Sequence, residues 1–238
     1  MYFVSFETST KIFSLAVNKD EKVLRYRNLK SASVLEDSIL PALDKILDSA
    51  GIKFTQIDGF AIALGPGSFT SLRVGLSTVK AFAMATGRPV VGIPTLDIIA
   101  YGIQNFSFPY DEICVINDAR RGKVYACLYG PQGRTSDYLL TSLDDVLKKV
   151  HGKTLFVGDA LRVYRKGIEE AYPNSLFADE KWWYPQARVM AALAYERFEI
   201  KQYDDAASLL PLYLYPQDCQ VFALGGTSRS RKIGNDGR

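Results

Sequence analysis

The chain has 238 residues, of which 47% are hydrophobic and 23% charged, a composition that indicates one large globular domain or two small ones. A formal net charge of +3 does not require a nucleic-acid partner, and the apolar runs are too short and interrupted to span a bilayer. We therefore expect a protein with no membrane segment.

The first half of the chain alternates between strand-like and helix-like segments. Apolar, β-rich runs predict strands over 2–6, 12–17, 23–28, 59–64 and 90–93. Apolar residues at helical spacing predict helices over 35–50, 71–86 and 95–101. Pro41 lies inside the first helix and Gly51 is placed to cap its C-terminus. Strands interleaved with helices indicate an α/β fold with a mixed sheet.

The second half repeats this alternation less regularly. Strands are predicted over 112–117, 123–129 and 154–157, and helices over 143–150, 161–170 and 185–200, the last with Pro185 in its first turn. The boundary segment 105–109 is too apolar for a free linker, so we expect packed lobes. We predict an N-terminal lobe over 1–106, a smaller C-terminal lobe over 107–224, and a disordered, basic, glycine-rich tail over 225–238.

Cysteine and histidine usage limits the chemistry. Cys114, Cys127 and Cys219 are scattered and form no CxxC pair, which indicates free thiols in a reducing cytoplasm. The N-terminus has no basic region before Glu7 and does not indicate a signal peptide. Any zinc site or catalytic triad would need the single histidine, His151, whose place at an apparent helix end is better explained by contacts with the last helix carbonyls. We predict no catalytic and no metal-ligating residue.

A glycine-rich turn is the most informative segment. Residues 65–70 (GPGSFT) join a predicted buried strand to a predicted helix. Gly65 and Gly67 allow close approach of a ligand or another backbone, and Ser68 or Thr70 can cap the helix, whose N-terminus suits an anion. Arg73 in the first turn opposes the helix dipole, which an anion or partner carboxylate opposite it would explain. The alternative is a tight turn with Arg73 in water.

Two further polar turns are candidates. Glu7 is followed by hydroxyl residues, including Thr8 and Ser9, in a hairpin turn that can hold a phosphate or metal-bound water. Arg120 and Arg121 lie in the predicted connection 118–122, where they can clamp a phosphate or a partner acid. For each turn the alternative is an ordinary solvated loop.

These segments occur together and in order. They are 6–10 (FETST), 39–41 (ILP), 65–75 (GPGSFTSLRVG) followed by 80–81 (KA), 118–125 (DARRGKVY) and 211–214 (PLYL). In them the chain resembles the TsaB family, also called YeaZ, of tRNA threonylcarbamoyladenosine biosynthesis proteins. The resemblance spans most of residues 1–216 and is strongest in the first half. The family usually has Asp where Glu7 stands and Gly where Ser71 stands.

The resemblance implies the two-lobed fold of the actin-like ATPases, shared with Hsp70 and sugar kinases, with mixed sheets and a reduced second lobe. It implies a cytoplasmic, non-catalytic scaffold that holds the TsaD paralogue in a competent state and helps recruit the ATPase TsaE. TsaD transfers threonylcarbamoyl to adenosine beside the tRNA anticodon. The chain would meet tRNA through this complex, and would form a homodimer when alone. No cofactor is expected in this chain, with ATP or ADP entering in the complex.

Two sets of site residues follow as expectations. The nucleotide or anion candidates are Glu7, Thr8, Ser9, Gly65, Gly67 and Ser68. The partner-interface candidates on the two early helices are Leu35, Ile39, Leu40, Leu43, Thr70, Arg73, Val74 and Phe82. A stand-alone ATP-dependent phosphotransferase, with Glu7 holding magnesium, is the alternative function. A peptidase function is discounted, because the sequence contains no pair of metal ligands and no catalytic triad.

Overall fold

The computed structural model describes residues 1–30, 35–104 and 109–215, and the side chains of residues 30 and 35–38 are not described. The predicted tail over 225–238, Cys219 and the side chain of Leu35 therefore lie outside the described residues. The strands are β1 Tyr2–Glu7, β2 Ile12–Lys19, β3 Lys22–Lys30, β4 Gly59–Ala63, β5 Val90–Ile93, β6 Glu112–Arg120, β7 Lys123–Gly130, β8 Gly133–Arg134, β9 Leu139–Thr141, β10 Thr154–Val157 and β11 Ser175–Phe177. The helices are α1 Leu35–Ala50, α2 Phe69–Thr86, α3 Thr95–Gln104, α4 Leu143–Leu147, α5 Leu161–Ala171 and α6 Ala187–Glu199.

The first sheet has the order β3-β2-β1-β4-β5. The three N-terminal strands pair antiparallel, while β1, β4 and β5 run parallel. The central strands β1 and β4 are buried along almost their whole length, because helices cover both faces of the sheet. On one face α1 and α2 enclose a core that includes Phe6, Phe60 and Leu43. The predicted mixed sheet is confirmed.

The other face of the first sheet is covered by a helix from the far end of the chain. Phe3 of β1 meets Phe198 of α6 with ring centroids 5.1 Å apart. Met190 and Ala194 of α6 belong to the same core cluster. The division of the chain at residues 106 and 107 stays a prediction, but α6, which it assigns to the C-terminal lobe, packs on the N-terminal sheet. Gln186 is the N-cap of α6, so Pro185 precedes the helix instead of lying in its first turn.

The second sheet has the order β11-β10-β6-β7-β8, with β9 also pairing with β7. The predicted connection over 118–122 is wrong, because β6 continues to Arg120 and the turn contains only Arg121 and Gly122. Arg120, Arg121 and Gly122 all have positive φ, of 67°, 54° and 71°. Cys114 and Cys127 are buried in this sheet as free thiols, as predicted, and belong to its core.

The predicted helix over 143–150 is shorter than expected. Helix α4 ends at Leu147, so His151 lies beyond it, exposed, and its backbone N–H donates to Glu112 Oε1 at 2.5 Å. Among the described helices none is both long enough and apolar enough to cross a membrane.

A half-buried carboxylate ties α3 to the second sheet. Asp97 in the first turn of α3 accepts hydrogen bonds from the hydroxyls of Tyr129 and Tyr138, at 2.6 and 2.7 Å. Burial, followed by the Asp97 charge, raises the pKa of Tyr129, so this hydroxyl keeps its proton and remains a donor. The contact joins α3, which follows the first sheet, to β7 of the second sheet.

Asp97→Asn should therefore destabilise the protein by about 1–3 kcal/mol, because the amide offers one acceptor oxygen and leaves a tyrosine hydroxyl without a partner. The measurement is the free energy of unfolding in urea. Asp137→Asn, an exposed change close in sequence to Tyr138, is the control and should shift stability by less than about 0.5 kcal/mol. Equal effects of the two changes would contradict this reading of the contact.

Candidate functional site

A cleft of about 310 Å³ opens between the two sheets. Four loops line it, and each follows or ends a strand at its carboxyl end: 9–11 after β1, 66–69 after β4, 117–120 at the end of β6, and Asp159 after β10, with Tyr125 of β7 beside them. Ligands of open α/β sheets bind outside the carboxyl ends of the strands. The cleft is therefore the candidate site.

The glycine turn is docked against the loop that follows β1. A Cβ on Gly67 would lie 2.1 Å from the carbonyl oxygen of Ser9, so only glycine fits there. The Ser68 N–H donates to that same oxygen at 2.8 Å. Gly65 has a φ of 96° and precedes a cis peptide bond to Pro66. The close approach that the glycines allow is thus made by the chain's own backbone, while Gly67 still borders the cleft.

The start of α2 corrects the predicted capping. Ser68 is the N-cap residue, but its side chain makes no capping bond and pairs instead with the Ser71 hydroxyl at 2.9 Å. Thr70 lies inside the first turn and is exposed.

The partner of Arg73 also differs from the expectation of an anion or a carboxylate. Its guanidinium lies over the ring of Phe69, 3.7 Å from the centroid, and its Nε donates to the Tyr213 hydroxyl at 2.9 Å. Aromatic faces stabilise the cation. They explain how Arg73 is held at a helix N-terminus without an acidic partner.

Glu7 is turned away from the cleft. Its side chain is fully buried, and its Oε1 accepts from both the backbone N–H and the hydroxyl of Ser9, each at 2.6 Å. Burial raises the pKa of Glu7 to about 7, against the lowering effect of the two Ser9 hydrogen bonds. Within the described part of the chain, Glu7 Oε2 and Thr8 Oγ1 have no hydrogen-bond partner.

The six nucleotide candidates are therefore divided. Ser9, Gly67 and Ser68 line the cleft, whereas Glu7, Thr8 and Gly65 do not. Thr8 is buried against Gly75 of α2, where a Cβ would come within 2.1 Å of its Oγ1. The structure thus brings the glycine turn and the loop after β1 together at the cleft, but of the six candidates only Ser9, Gly67 and Ser68 line it.

The opposite wall of the cleft consists of residues that sequence reasoning largely missed. Asp159 Oδ1 accepts from the Asp118 N–H, and Asp118 Oδ1 accepts from the Arg120 N–H, both at 2.8 Å. Burial, and to a smaller extent the Asp118 charge, raise the pKa of Asp159. The signal that could have found it is Gly158, with a φ of 125°, in a strand–glycine–helix turn of the same kind as the first.

The cleft carries two basic and two acidic side chains. Lys11 and Arg120 are the bases, with Arg120 Nη1 3.6 Å from Asp118 Oδ2, and Ser9, Thr10 and Ser68 supply hydroxyls. Both carboxylates in its wall, Asp118 and Asp159, already accept backbone N–H groups of this chain. Glu7, the residue expected to hold magnesium, does not line the cleft.

The partner-interface candidates are also divided. Ile39 and Leu43 are 1% and 3% exposed and pack in the first core, so their assignment to a partner surface is corrected. The reason is that the α1 stripe they occupy faces the sheet. Leu40 is 53% exposed, while Val74 and Phe82 are half-buried against the same core.

Comparison with known proteins was made by sequence and by structure. A family model described as TsaD, tRNA N6-adenosine threonylcarbamoyltransferase, matches residues 30–214. The chain is 27% identical over 195 residues to the tRNA threonylcarbamoyladenosine biosynthesis protein TsaB of Buchnera aphidicola subsp. Schizaphis graminum, covering 78% of this chain and 89% of that protein. It is 31% identical over 129 residues to TsaB of Escherichia coli K12, covering 54% and 55%.

Solved structures agree with the fold. YeaZ from Pseudomonas aeruginosa superposes with a TM-score of 0.76 at 22% identity, covering 90% of this chain and 99% of that one. The activator of 2-hydroxyisocaproyl-CoA dehydratase from Clostridium difficile, solved with bound ADPNP, gives 0.53 at 12% identity, covering 85% and 97%. The resemblance predicted from the motifs is confirmed, as is the actin-like α/β fold with two mixed sheets.

Proposed function

The chain is a TsaB-like member of the family described as TsaD, tRNA N6-adenosine threonylcarbamoyltransferase, and we propose that it is a non-catalytic scaffold and activator of tRNA threonylcarbamoyladenosine synthesis. In this proposal it holds a TsaD-like paralogue in its active state and helps recruit a TsaE-like ATPase. The complex then installs threonylcarbamoyl on the adenosine beside the tRNA anticodon.

One observation carries the choice of a scaffold over an enzyme. Glu7, the carboxylate at the end of β1, is buried outside the cleft, and its Oε1 already accepts two hydrogen bonds from Ser9 of its own loop. A carboxyl whose pKa is raised to about 7 by burial is a poor ligand for magnesium, which prefers charged, accessible oxygens. The proposal accordingly gives this chain no cofactor of its own, with ATP or ADP bound in the assembled complex.

The proposed partner surface is the exposed side of α1 and α2. Leu40 on α1 and Met84 on α2 are 53% and 66% exposed, so both present apolar surface to solvent. Burial of such residues against a paralogue of related fold would stabilise a heterodimer, and a second copy of this chain would serve in its absence.

Reconstitution tests the proposal. Threonylcarbamoylated adenosine is measured in tRNA incubated with TsaD, TsaE, the enzyme that makes the threonylcarbamoyl adenylate, and this chain. We expect product with the complete set and a loss to background when this chain is omitted. An equal yield of modified tRNA with and without this chain would contradict the activator role.

A matched pair of variants tests the surface. Leu40→Glu should abolish co-elution with TsaD in size-exclusion chromatography and lower the yield of modified tRNA at least tenfold, because a buried, unpaired carboxylate costs several kcal/mol. Val163→Glu places the same charge on an exposed position of α5 and should change neither. If the two variants behave alike, the interface lies elsewhere.

The alternative phosphotransferase has one observation in its favour, the cleft lined by Lys11, Gly67 and several hydroxyls. Turnover of ATP by the isolated chain, abolished in Glu7→Ala, would select it over the scaffold. We expect no turnover above background.

A further inference from the structure

A group of aromatic and basic side chains borders the cleft on its solvent side. We call it the aromatic–basic rim and define it as Phe69, Arg73, Lys123, Tyr125, Tyr213 and Tyr215. The rim brings together the first turn of α2, strand β7 and the last described residues of the chain. The proposed scaffold function assigns none of these side chains a role in contacting tRNA.

The rings of the rim form two pairs. Phe69 and Tyr213 lie 5.2 Å apart between centroids, and Tyr125 and Tyr215 lie 6.2 Å apart. A cavity of about 120 Å³ between the two pairs is lined by all four rings together with glycine and leucine residues. Each of the four rings is partly exposed, so their remaining surface faces solvent.

Positive charge alternates with these rings. Arg73 lies over Phe69, and Lys123 Nζ lies 5.9 Å from the centroid of the Tyr215 ring. The Tyr215 hydroxyl donates to the carbonyl of Ala119 at 3.0 Å, which places it at the turn that carries Arg121. Arg73, Lys123 and Arg121 are exposed.

The 120 Å³ cavity and the groove along α2 have no acidic residue in their described walls, whereas the cleft beside them carries Asp118 and Asp159. The 120 Å³ cavity has neither acid nor base, and the neighbouring groove of about 650 Å³ along α2 contributes Arg73 and Lys80 as its charged residues. The exposed basic side chains Arg73, Arg121 and Lys123 are thus gathered locally, although the whole chain carries only +3. Basic side chains interleaved with partly exposed rings are the composition of single-stranded nucleic-acid sites. Protein interfaces share the aromatic residues and arginine but are depleted in lysine, so Lys123 is the residue that favours nucleic acid here.

We propose that the aromatic–basic rim binds unpaired nucleotides of RNA, with bases stacking on the tyrosines and phosphates meeting Arg121 and Lys123. This inference rests on the proposed function, which supplies a tRNA as the RNA, and it assigns direct contact with that RNA to this chain. The rim lies at the N-terminal end of α2 and shares Arg73 with the expected partner interface, whereas Met84 of the proposed partner surface lies near the C-terminal end.

Fluorescence anisotropy with a labelled RNA stem-loop tests the rim, with a duplex of the same stem lacking the loop as the second probe. Tyr213→Leu should weaken binding of the stem-loop about tenfold, because it removes a stacking ring and the hydroxyl that holds Arg73. Lys123→Gln should lower the slope of log affinity against log salt by about 0.7, the contribution of one phosphate contact on a single strand. The duplex should bind more weakly than the stem-loop.

Two matched controls lie away from the rim. Tyr203→Leu removes another exposed tyrosine in ring contact, here with Phe198, and Lys166→Gln removes an exposed lysine on α5. Both should bind the stem-loop like the parent chain, and circular dichroism should show all four variants folded.

Three results would overturn the proposal: equal losses in rim and control variants, no preference for the loop, or rim variants that lose TsaD co-elution while binding RNA normally. The last would make the rim a protein interface. A chain that raises the yield of modified tRNA but does not bind the stem-loop would overturn this inference and leave the scaffold function standing. Stem-loop binding without any activation of tRNA modification would support RNA binding by the rim and overturn the activator function.

Discussion

Gly75→Ala should destabilise the fold by about 2–3 kcal/mol, even though alanine is the better helix former by about 1 kcal/mol. Gly75 lies in α2 where the helix passes the buried residue Thr8 at the end of β1. A Cβ there would lie 2.1 Å from Thr8 Oγ1 and 2.9 Å from Thr8 Cβ. Rotating the threonine cannot relieve the second contact, so the helix must move away from the sheet.

Urea denaturation measures the effect, and the chain offers a close control. Gly167 is also helical, in α5, but a Cβ there meets nothing within 4 Å, so Gly167→Ala should stabilise the protein by about 1 kcal/mol. Thr8→Ala should relieve much of the clash in the double variant at little cost, because the Thr8 hydroxyl has no partner among the described residues. Equal stability of the two glycine variants would contradict the packing described here.

The regular elements were predictable because their signals are local. The bounds of α1, β5 and β10 match the periodicity of apolar residues. The chain could not show that α6 covers the first sheet, because that contact joins Phe3 and Phe198, and no periodicity reports on such distant pairs. The turn at Arg121 was misjudged for a related reason, since positive φ at arginine is rare and leaves no mark in composition.

The candidate site was predictable only in part. The loops were found because glycine and hydroxyl residues mark turns, and Ser9, Gly67 and Ser68 do line the cleft. Which side chains point into the cleft depends on burial, so the sequence could not show that Glu7 turns inward. Asp159 was missed because a single acid after a strand is common, and its meaning comes only from the Asp118 N–H beside it.

Glu7→Gln should raise stability by less than about 1 kcal/mol at pH 5 and by about 3 kcal/mol at pH 9. Burial raises the pKa of Glu7 from 4.5 to about 7 in the folded chain. The folded state therefore binds a proton more tightly than the unfolded state. The stability linked to that proton is complete below about pH 4.5, and it is lost as the pH rises through about 7. Glutamine is neutral at every pH and does not suffer this loss.

The measurement is the difference in unfolding free energy between variant and parent at pH 5, 7 and 9, in which titrations common to both proteins cancel. Glutamine retains the oxygen that accepts from Ser9, so the hydrogen bonds at 2.6 Å can persist. Glu7→Asp, the residue usual in the family, keeps a titrating carboxyl and should keep a pH dependence.

A lower stability of Glu7→Gln at pH 9 would mean that the fold holds an ionised carboxylate, as a metal-binding lobe would. The expected gain would instead mean that this chain carries a buried carboxyl whose ionisation costs stability at neutral pH and above. A protonated carboxyl is a poor magnesium ligand, and so is the amide of glutamine. Full activation of tRNA modification by Glu7→Gln would therefore favour the scaffold over the phosphotransferase, which needs Glu7 as a carboxylate.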